Sequence, residues 1–401
     1  MEHRDETVTS GSGVDRRSFV KTLGVCSAAV GGAVLGRPLF AQAAAEAKPE
    51  TNIDDFLKTP RGPRALPGPF PGKVVQVVNN ACLKDGKFDG AAIDASFRRG
   101  LKELTGKDPA GAFKLLIDKK DVVGIKVNPV GPLINTRLEV VDAIIRWLEE
   151  GGVPRKRIVV WDRFDYMLKD AGFTAARFPG VAIEGLQTMD EEGNKWRGPD
   201  GHHLSEKSFD QDAYYFAKGI LGKGVAGYKD DEFYLNQHVF NGEKSFFGKL
   251  VTKKLTRIIN VPVFKNTGNG VSMATKNLGY GAICNTGRLH KPLFFNVCTE
   301  VLAAPWIREK LALNVMDGLR GQYDGGPMPN EAFVYPLQSL YFATDPFAMD
   351  MIGHQQMLAK RKAEGVKVSE GPRYTDYLRY AETLKLGVAD PAKIDFKRVE
   401  L

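Results

Sequence analysis

The chain has 401 residues, of which 43% are hydrophobic and 26% are charged, and its formal net charge is +8. This mixture is that of an ordinary globular protein. The mild positive excess favours anionic ligands or an acidic partner surface, although scattered lysines explain it as well. No nucleic-acid-binding motif accompanies the charge, which excludes nucleic acid as an expected partner.

The N-terminus resembles a twin-arginine export signal. The run DRRSFVK at 15–21 matches the motif, an apolar Gly/Ala-rich run follows at 22–36, and Ala41-Gln42-Ala43 offers a cleavage site. A membrane anchor is the alternative, but the glycine-broken run is shorter than the roughly 20 residues that span a bilayer. Cys26 falls too early in that run for a lipoprotein site. We therefore expect a signal peptide over 1–43, the twin-arginine export machinery as a partner, and a periplasmic protein.

A Pro/Gly-rich linker, expected to be extended and unpaired, covers 44–72, and an alternation of β-branched runs and helical patterns follows. The predicted elements up to residue 186 are strand Lys73–Val78, helix Ala91–Leu104, strand Val122–Val127, helix Leu138–Glu150, strand Ile158–Trp161, helix Tyr166–Ala171 and strand Val181–Leu186. An irregular aromatic and Gly-rich insertion at 187–255 is expected to lie over the sheet edge.

The second half of the domain, 256–365, resumes the same order and ends in a docking tail over 366–401. Its predicted elements are strand Arg257–Phe264, a helix starting in Gly270–Leu278, helix Asn296–Ala303, strand Leu311–Met316, strand Gln338–Ala343, helix Pro346–Ala363, helix Tyr374–Leu386 and edge strand Phe396–Val399. Together with the first half, 73–186, they predict one α/β domain. Its sheet should be mostly parallel, in Rossmann-like layers with helices on both faces.

Polar side chains follow five of the predicted strands. They are Lys126 and Asn128, Asp162 and Arg163, Lys265 and Asn266, Asp317 and Arg320, and Thr344 and Asp345. If the strands are parallel, all five pairs meet at one edge of the sheet, where α/β proteins usually bind ligands. A lone aspartate after a strand is more often a helix N-cap, and Asp345-Pro346 fits that alternative well.

The chemistry predicted for this crevice is anion binding. Lys265 and Lys276 flank Thr267-Gly268-Asn269-Gly270, whose glycines would let backbone N–H groups converge at a helix start; a plain turn is the alternative. We expect Lys126, Lys265 and Lys276 to bind the anion, their heads lying within roughly 12 Å of one another and of the two aspartates. The residues with predicted roles are Asp162, Asp317 and Lys276 in catalysis, with either aspartate as general base, and Lys126, Asn128, Lys265, Asn266, Asn277, Arg320 and Asp345 in ligand binding.

Several motifs in this order resemble the domain-of-unknown-function 362 family, in particular its twin-arginine-exported members. They are GIKVNP, VPRKRIVVWDR, TKNLGYG, NVMDGLRGQYDGGP and ATDPFAMD, and they span roughly residues 70–360. The resemblance implies an α/β fold but no particular reaction. Some members carry ferredoxin clusters, and members often have an acidic residue and a histidine after the lysine that aligns with Lys265, where this chain has Asn266-Thr267.

The cysteines and histidines give weaker signals. The chain has no CxxC pair, so no iron–sulfur cluster is expected, and any other cofactor is left open. Cys284 and Cys298 could form a disulfide, but Cys82 and these two more often are small buried residues. The C-x5-H-x7-C spacing through His290 matches no common zinc module.

Three further patterns have an ordinary explanation as well as a functional one. Asp350 and His354 lie four apart on one helix and could serve a metal, although such pairs are usually salt-linked or capping. His202-His203 fits a solvated loop. The basic run at 249–255 could touch a membrane or a partner, but a solvated helix face is simpler. No metal site is predicted.

Three functions remain open from the sequence. The first, which we prefer, is an exported enzyme or binding protein for a small anionic ligand. The second is a cofactor-carrying redox accessory protein, which the export route favours. The third is a non-catalytic assembly subunit of a periplasmic complex, with a protein partner contacted through the aromatic stretch at 209–247.

Overall fold

The computed structural model describes residues 48–187, 205–221, 242–267, 270–290, 293, 296–367 and 374–401. The predicted signal peptide, His202-His203 and the glycine-turn residues Gly268 and Asn269 lie outside these ranges. In the described part of the chain, none of the helices combines the length and apolar character that a membrane crossing requires.

A ten-stranded, mostly parallel sheet forms the centre of the protein. The strands of the protein are β1 Lys73–Val78, β2 Leu83–Lys84, β3 Lys87–Phe88, β4 Val123–Lys126, β5 Ile158–Phe164, β6 Ala182–Gln187, β7 Phe209–Phe216, β8 Lys244–Gly248, β9 Arg257–Asn260, β10 Val263–Thr267, β11 Gly270–Val271, β12 Leu311–Gln322, β13 Val334–Ala343 and β14 Asp395–Glu400. The order across the sheet is β14-β1-β13-β12-β9-β4-β5-β6, with β10 paired to β12 and β11.

Two strands of this sheet run against their neighbours, the short β11 against β10 and the longer β13. β13 pairs antiparallel with both β1 and β12, whereas β12, β9, β4, β5 and β6 are parallel to one another. The expectation that all five polar strand ends share one edge is therefore wrong for Thr344 and Asp345, because the chain leaves β13 in the opposite direction. The prediction of a mostly parallel α/β sheet is confirmed.

Helices cover both faces of the sheet, as predicted. They are α1 Ile53–Lys58, α2 Gly90–Thr105, α3 Pro109–Leu116, α4 Leu138–Glu150, α5 Asp165–Asp170, α6 Ala274–Gly279, α7 Asn296–Ala303, α8 Pro305–Arg308, α9 Pro346–Ala363 and α10 Asp376–Thr383. On one face Phe97 of α2 and Ile144 of α4 pack with Ile125. On the other face Val301 of α7 and Leu378 of α10 pack with Trp161.

The predicted elements agree with the structure where apolar periodicity is strong, and four of them have the same bounds: β1, α4, α7 and α9. The predicted strand 257–264 is divided into β9 and β10 because Pro262 lies between them and has no N–H to donate. The docking tail forms the expected helix, α10, and the edge strand β14, which pairs with β1. The helix α3 was not predicted.

The segment before β1 is not the extended linker that we expected. Ile53 and Phe56 lie three residues apart on α1 and are both buried, which fixes this helix against the body. Asn52 adds side-chain hydrogen bonds to the backbone of Tyr214 and Phe216. The apolar pair within a Pro/Gly-rich stretch was the signal for a helix here.

The described part of the insertion is more regular than predicted. β7 and β8 form an antiparallel hairpin, and Phe209, Tyr215 and Phe247 are buried in the core. In the basic run that follows, Leu250 and Val251 are buried, while the lysines are solvated: Lys253 and Lys254 form ion pairs with Asp210 and Glu184.

Candidate functional site

The end of β4 places a buried lysine beside a carboxylate. Lys126 is 1% exposed, and its Nζ forms an ion pair with Oδ1 of Asp162 on the neighbouring strand β5. The ammonium also donates to the carbonyl of Val127 at 2.8 Å and to Oδ1 of Asn277 at 3.1 Å. Burial lowers the pKa of Lys126, and Asp162 opposes that shift. The predicted convergence of Lys126, Asp162 and Asn277 is thus present.

A glycine provides the space in which the Lys126 head lies. A methyl group at Gly281 would stand 2.4 Å from Cε and 2.8 Å from Nζ of Lys126, and 2.3 Å from the carbonyl oxygen of Asn277. These distances are far below ordinary van der Waals contact, so a side chain at 281 and the lysine exclude one another.

Four asparagines connect the site across the sheet in one directed chain, which we call the amide relay: Asn314, Asn260, Asn277 and Asn128. Register places Lys126, Asn260 and Asn314 side by side on β4, β9 and β12. Asn314 donates to the backbone carbonyls of Ala343 and Thr344 and accepts from Asn260. These backbone contacts fix which end of each amide is the oxygen.

The relay continues from the sheet to Lys265. Asn277 donates to Asn260 at 2.8 Å and turns its own oxygen toward Lys126 and Asn128. Asn128 then accepts from Lys265 Nζ at 3.0 Å. Asn260 and Asn314 were not predicted, although an asparagine inside an apolar strand is a signal, because a buried amide requires hydrogen-bond partners.

Lys265 is the most unusual cation of the site. It is 1% exposed, and within the described residues the single hydrogen bond of its amino group is to the neutral amide of Asn128. Burial, reinforced by the charge of Lys276 and opposed by Asp162, lowers the pKa of Lys265 to about 7. This amine therefore changes its charge near neutral pH.

Lys276 and His290 lie toward the partly exposed side of the site. The Nζ of Lys276 is 5.6 Å from the ring centre of Tyr280, which in turn lies 4.6 Å from the His290 ring. Burial lowers the pKa of Lys276 to about 8. Burial and the charge of Lys276 lower the pKa of His290 to about 3, so this histidine is neutral at pH 7. His290 had been considered only as a metal ligand.

Asp317 and Arg320 are engaged elsewhere. The Asp317 carboxylate accepts from the backbone N–H of Arg137, at the start of α4, and of Leu319. Burial raises its pKa. The guanidinium groups of Arg320 and Arg137 both lie over Phe88, at 5.3 and 4.7 Å from the ring centre. These contacts give Asp317 a structural role, and they do not join it to the three lysines.

Asn266 and Asp345 also face other parts of the structure. Asn266 follows Lys265 on β10, so its side chain points to the opposite side, where it accepts from Gly326 N–H at 2.8 Å. Asp345 accepts from four backbone N–H groups, those of Gly72, Phe347, Ala348 and Val388. It is the N-cap of α9, in agreement with the alternative noted from Asp345-Pro346.

The predicted glycine turn does not begin a helix. Thr267 and Gly270 are paired between β10 and β11, and α6 begins only at Ala274. The first N–H groups of α6, those of Ala274 and Thr275, donate to the buried carboxylate of Asp350 at 2.8 and 2.9 Å. An internal side chain therefore occupies the helix start that we expected to hold an anion.

Residues 228–355 match the model of the family described as Domain of unknown function (DUF362). This segment is about a third of the chain, and over it the protein is similar to the DUF362 family. No curated protein and no solved structure shows a significant match. The matched residues include Lys265 and Lys276, whereas Lys126 and Asp162 precede them. The site is thus completed by residues outside the matched segment.

The cysteines and candidate metal ligands of the protein are part of the core. Cys82, Cys284 and Cys298 are buried, and no disulfide joins them. Burial raises the pKa of the Cys284 thiol to about 12. Over the described ranges, no three His, Cys, Asp or Glu side chains are arranged to hold a metal ion. Asp350 caps α6, so its spacing to His354 serves the fold.

We expect the ligand-free protein to become more stable as the pH rises from about 7 to about 8, below the range in which the raised pKa of the buried Cys284 and Cys298 thiols opposes the effect. Folding lowers the pKa of Lys265 from 10.5 to about 7. The folded state therefore loses this proton first, and the stability gained above pH 7 is lost again as the pH falls. The slope is at most about 1.4 kcal/mol per pH unit for each such lysine.

Urea unfolding of the wild type and of Lys265→Met at several pH values measures this effect. In the variant, stability should rise less steeply with pH, because Lys265 no longer titrates. Some rise should remain, because Lys276 and Lys310, whose pKa values are each lowered to about 8, still titrate. Equal slopes in the two proteins would show that Lys265 keeps its proton in the folded state.

Proposed function

We propose that this protein binds a small anion at the lysine cluster, defined as Lys126, Lys265 and Lys276. The observation that carries the proposal is an excess of buried positive charge. Within the described residues, the charges acting on Lys265 are those of two lysines and one carboxylate, Asp162, which is already paired with Lys126. An anion beside Lys265 would supply the missing negative charge.

The arrangement also favours a ligand of limited size. Lys126 and Lys265 are almost fully buried, and the amide relay holds the side chains between them through direct hydrogen bonds. Lys276 is partly exposed, so among the three lysines it is the one that an anion from solvent would meet first. Carboxylate, phosphate and sulfate groups suit a site of this kind, because lysine ammonium groups act on them as point charges.

Substituting Lys265 by methionine should abolish binding of sulfate or phosphate, measured by calorimetric titration. Methionine keeps the volume of the aliphatic stem and removes the charge. The melting temperature should be unchanged or higher, because Lys276 and Lys126 repel a protonated Lys265. In the wild type, affinity should decrease as the pH rises above about 7, since the anion favours the protonated amine.

Lys254→Met is the matched control. It removes one positive charge from an exposed lysine paired with Glu184, so it tests whether net charge alone explains anion binding. The control should bind like the wild type. A large loss of stability in Lys265→Met with anion binding intact would instead make Lys265 a structural residue.

We further propose that the chain is exported folded by the twin-arginine route and cleaved near Ala43, on the strength of the motif at 15–21. Replacing Arg16-Arg17 by Lys-Lys should retain the protein in the cytoplasm, because the weak apolar run cannot substitute for the pair. Cell fractionation followed by intact-mass measurement tests both points. Exported protein that still carries residues 1–43 would contradict the cleavage site.

The described aromatic residues of the insertion give no support to an assembly subunit. Phe209, Tyr215, Phe246 and Phe247 are buried in the core of the protein itself. These four rings pack β7 and β8 against the body, while Tyr214 and Phe216 are half-buried.

A further inference from the structure

The lysines of the cluster differ in what holds their amino groups. Lys126 donates to a carboxylate, a carbonyl and an amide, which satisfies the three N–H donors of an ammonium. Lys265 has one acceptor among the described residues, the oxygen of Asn128, and that acceptor carries no charge. A neutral amine fits this position better than an ammonium does.

The amide relay determines how Lys265 presents its nitrogen. Because Asn277 turns its oxygen toward Asn128, the Asn128 amide group directs NH₂ to Asn277 and its oxygen to Lys265. An amide oxygen accepts a hydrogen from the amine and leaves the nitrogen lone pair unengaged. A buried amine with an available lone pair is a nucleophile for carbonyl carbons.

We infer that Lys265 forms an imine with small carboxylates that carry a neighbouring ketone or aldehyde group, that is, with 2-oxo acids. The inference rests on the proposed function, because the lysine cluster would hold the carboxylate while Lys265 meets the carbonyl carbon. Lys276 and Lys126 are the two cations whose charges act on Lys265, and they supply the positive field for the carboxylate.

The step balances without an oxidant or a reductant. The Nζ lone pair of Lys265 attacks the carbonyl carbon, and the carbonyl π-electrons move to oxygen. The nitrogen then loses a proton and the oxygen gains one, giving a carbinolamine. Protonation of its hydroxyl releases water as the C=N bond forms. The net reaction consumes amine, carbonyl and one proton, and it yields a protonated imine and one water molecule.

Charges on three elements keep the amine reactive near neutral pH. Lys276 on α6 and Lys126 on β4 disfavour a proton on Lys265, and Asp162 on β5 favours one; with burial, these bring the pKa of Lys265 to about 7. A lysine activated by burial beside another cation is a known arrangement for imine formation.

The experiment is reductive trapping of the full mature chain with pyruvate and sodium borohydride. We expect intact-mass analysis to show one added reduced pyruvate group, and peptide mapping to place it on Lys265. Lys265→Met should lose this adduct, while Lys254→Met should retain it. Excess sulfate should suppress labelling, because it competes for the same cluster.

The outcomes separate the two proposals. If sulfate binds and pyruvate competes with it, but no adduct forms, the imine is overturned and anion binding stands. If neither ligand binds, both proposals are overturned. Adducts only on exposed lysines, with Lys265 unmodified, would also overturn the imine. This mapping uses wild-type protein and so holds even if Lys265→Met fails to fold.

Discussion

Replacing Asp162 by alanine is expected to lower the free energy of unfolding by about 3–5 kcal/mol, because it leaves the buried Lys126 ammonium without its counter-ion. Lys126 is 1% exposed and cannot reach water without moving the residues around it. Gly281 and the carbonyl of Asn277 close off the space beside its head. Urea unfolding, with the slope compared between variants, measures the loss.

The double variant Lys126→Met/Asp162→Leu provides the control. It replaces both charges by apolar groups, so no buried charge is left unpaired, and most of the lost stability should return. A loss of about 1 kcal/mol or less for Asp162→Ala alone would show that this pair behaves like a solvent-exposed salt bridge. In that case Lys126 would have to reach solvent or another acceptor.

Replacing Asp345 by alanine is expected to cost a similar amount, about 3–5 kcal/mol, with anion binding by the folded fraction unchanged. The substitution leaves four backbone N–H groups without their acceptor. Each such group costs about 1–3 kcal/mol, and new hydrogen bonds to water offset part of that cost. Two of these groups begin α9, and the others belong to the segments around Gly72 and Val388. The variant would therefore loosen three segments at once.

Asp390→Ala is the matched control for Asp345→Ala. Asp390 also precedes a proline and caps a short helical turn, but its carboxylate accepts one backbone N–H, that of Ala392, and it is partly exposed and paired with the surface Lys393. Its loss should cost about 1 kcal/mol, the usual value for an N-cap. If both variants lost the same small amount, the additional contacts of Asp345 would contribute nothing. If Asp345→Ala instead kept its stability and lost anion binding, our original ligand-binding prediction would be restored.

The class of fold followed from the sequence because β-branched runs and apolar helical periodicity report burial directly. The direction of β13 did not follow from the sequence, because the apolar pattern of a buried strand is the same whichever way the strand runs. The predicted strands also left residues 317–337 between them, which is long enough for a parallel crossover. In the structure both strands are longer, and only residues 323–333 separate β12 from β13. A parallel return needs a crossover of a dozen or more residues, so this short connection leads to an antiparallel strand.

The site was predictable in part. The residues that the structure joins by direct contacts, Lys126, Asp162, Lys265, Asn128 and Asn277, all stood in our predicted set. Four other residues of the predicted set have contacts elsewhere: Asp317, Asn266, Arg320 and Asp345. They were included because a polar residue after a strand can cap a helix or a loop as well as bind a ligand. The inner members of the amide relay, Asn260 and Asn314, were not predicted, because they lie within strands whose apolar pattern predicts only buried hydrophobic side chains.

The hydrogen bond between Lys126 and Asn277 joins residues 151 positions apart, and the relay then extends to β12. No local segment of the chain contains the site, and it exists only after β4 has paired with β9. Contacts between such distant residues form at a high cost in loop-closure entropy and so belong to the slow steps of folding. A bound anion would consequently select fully folded molecules, and its binding energy would stabilise the whole sheet and not one half of it.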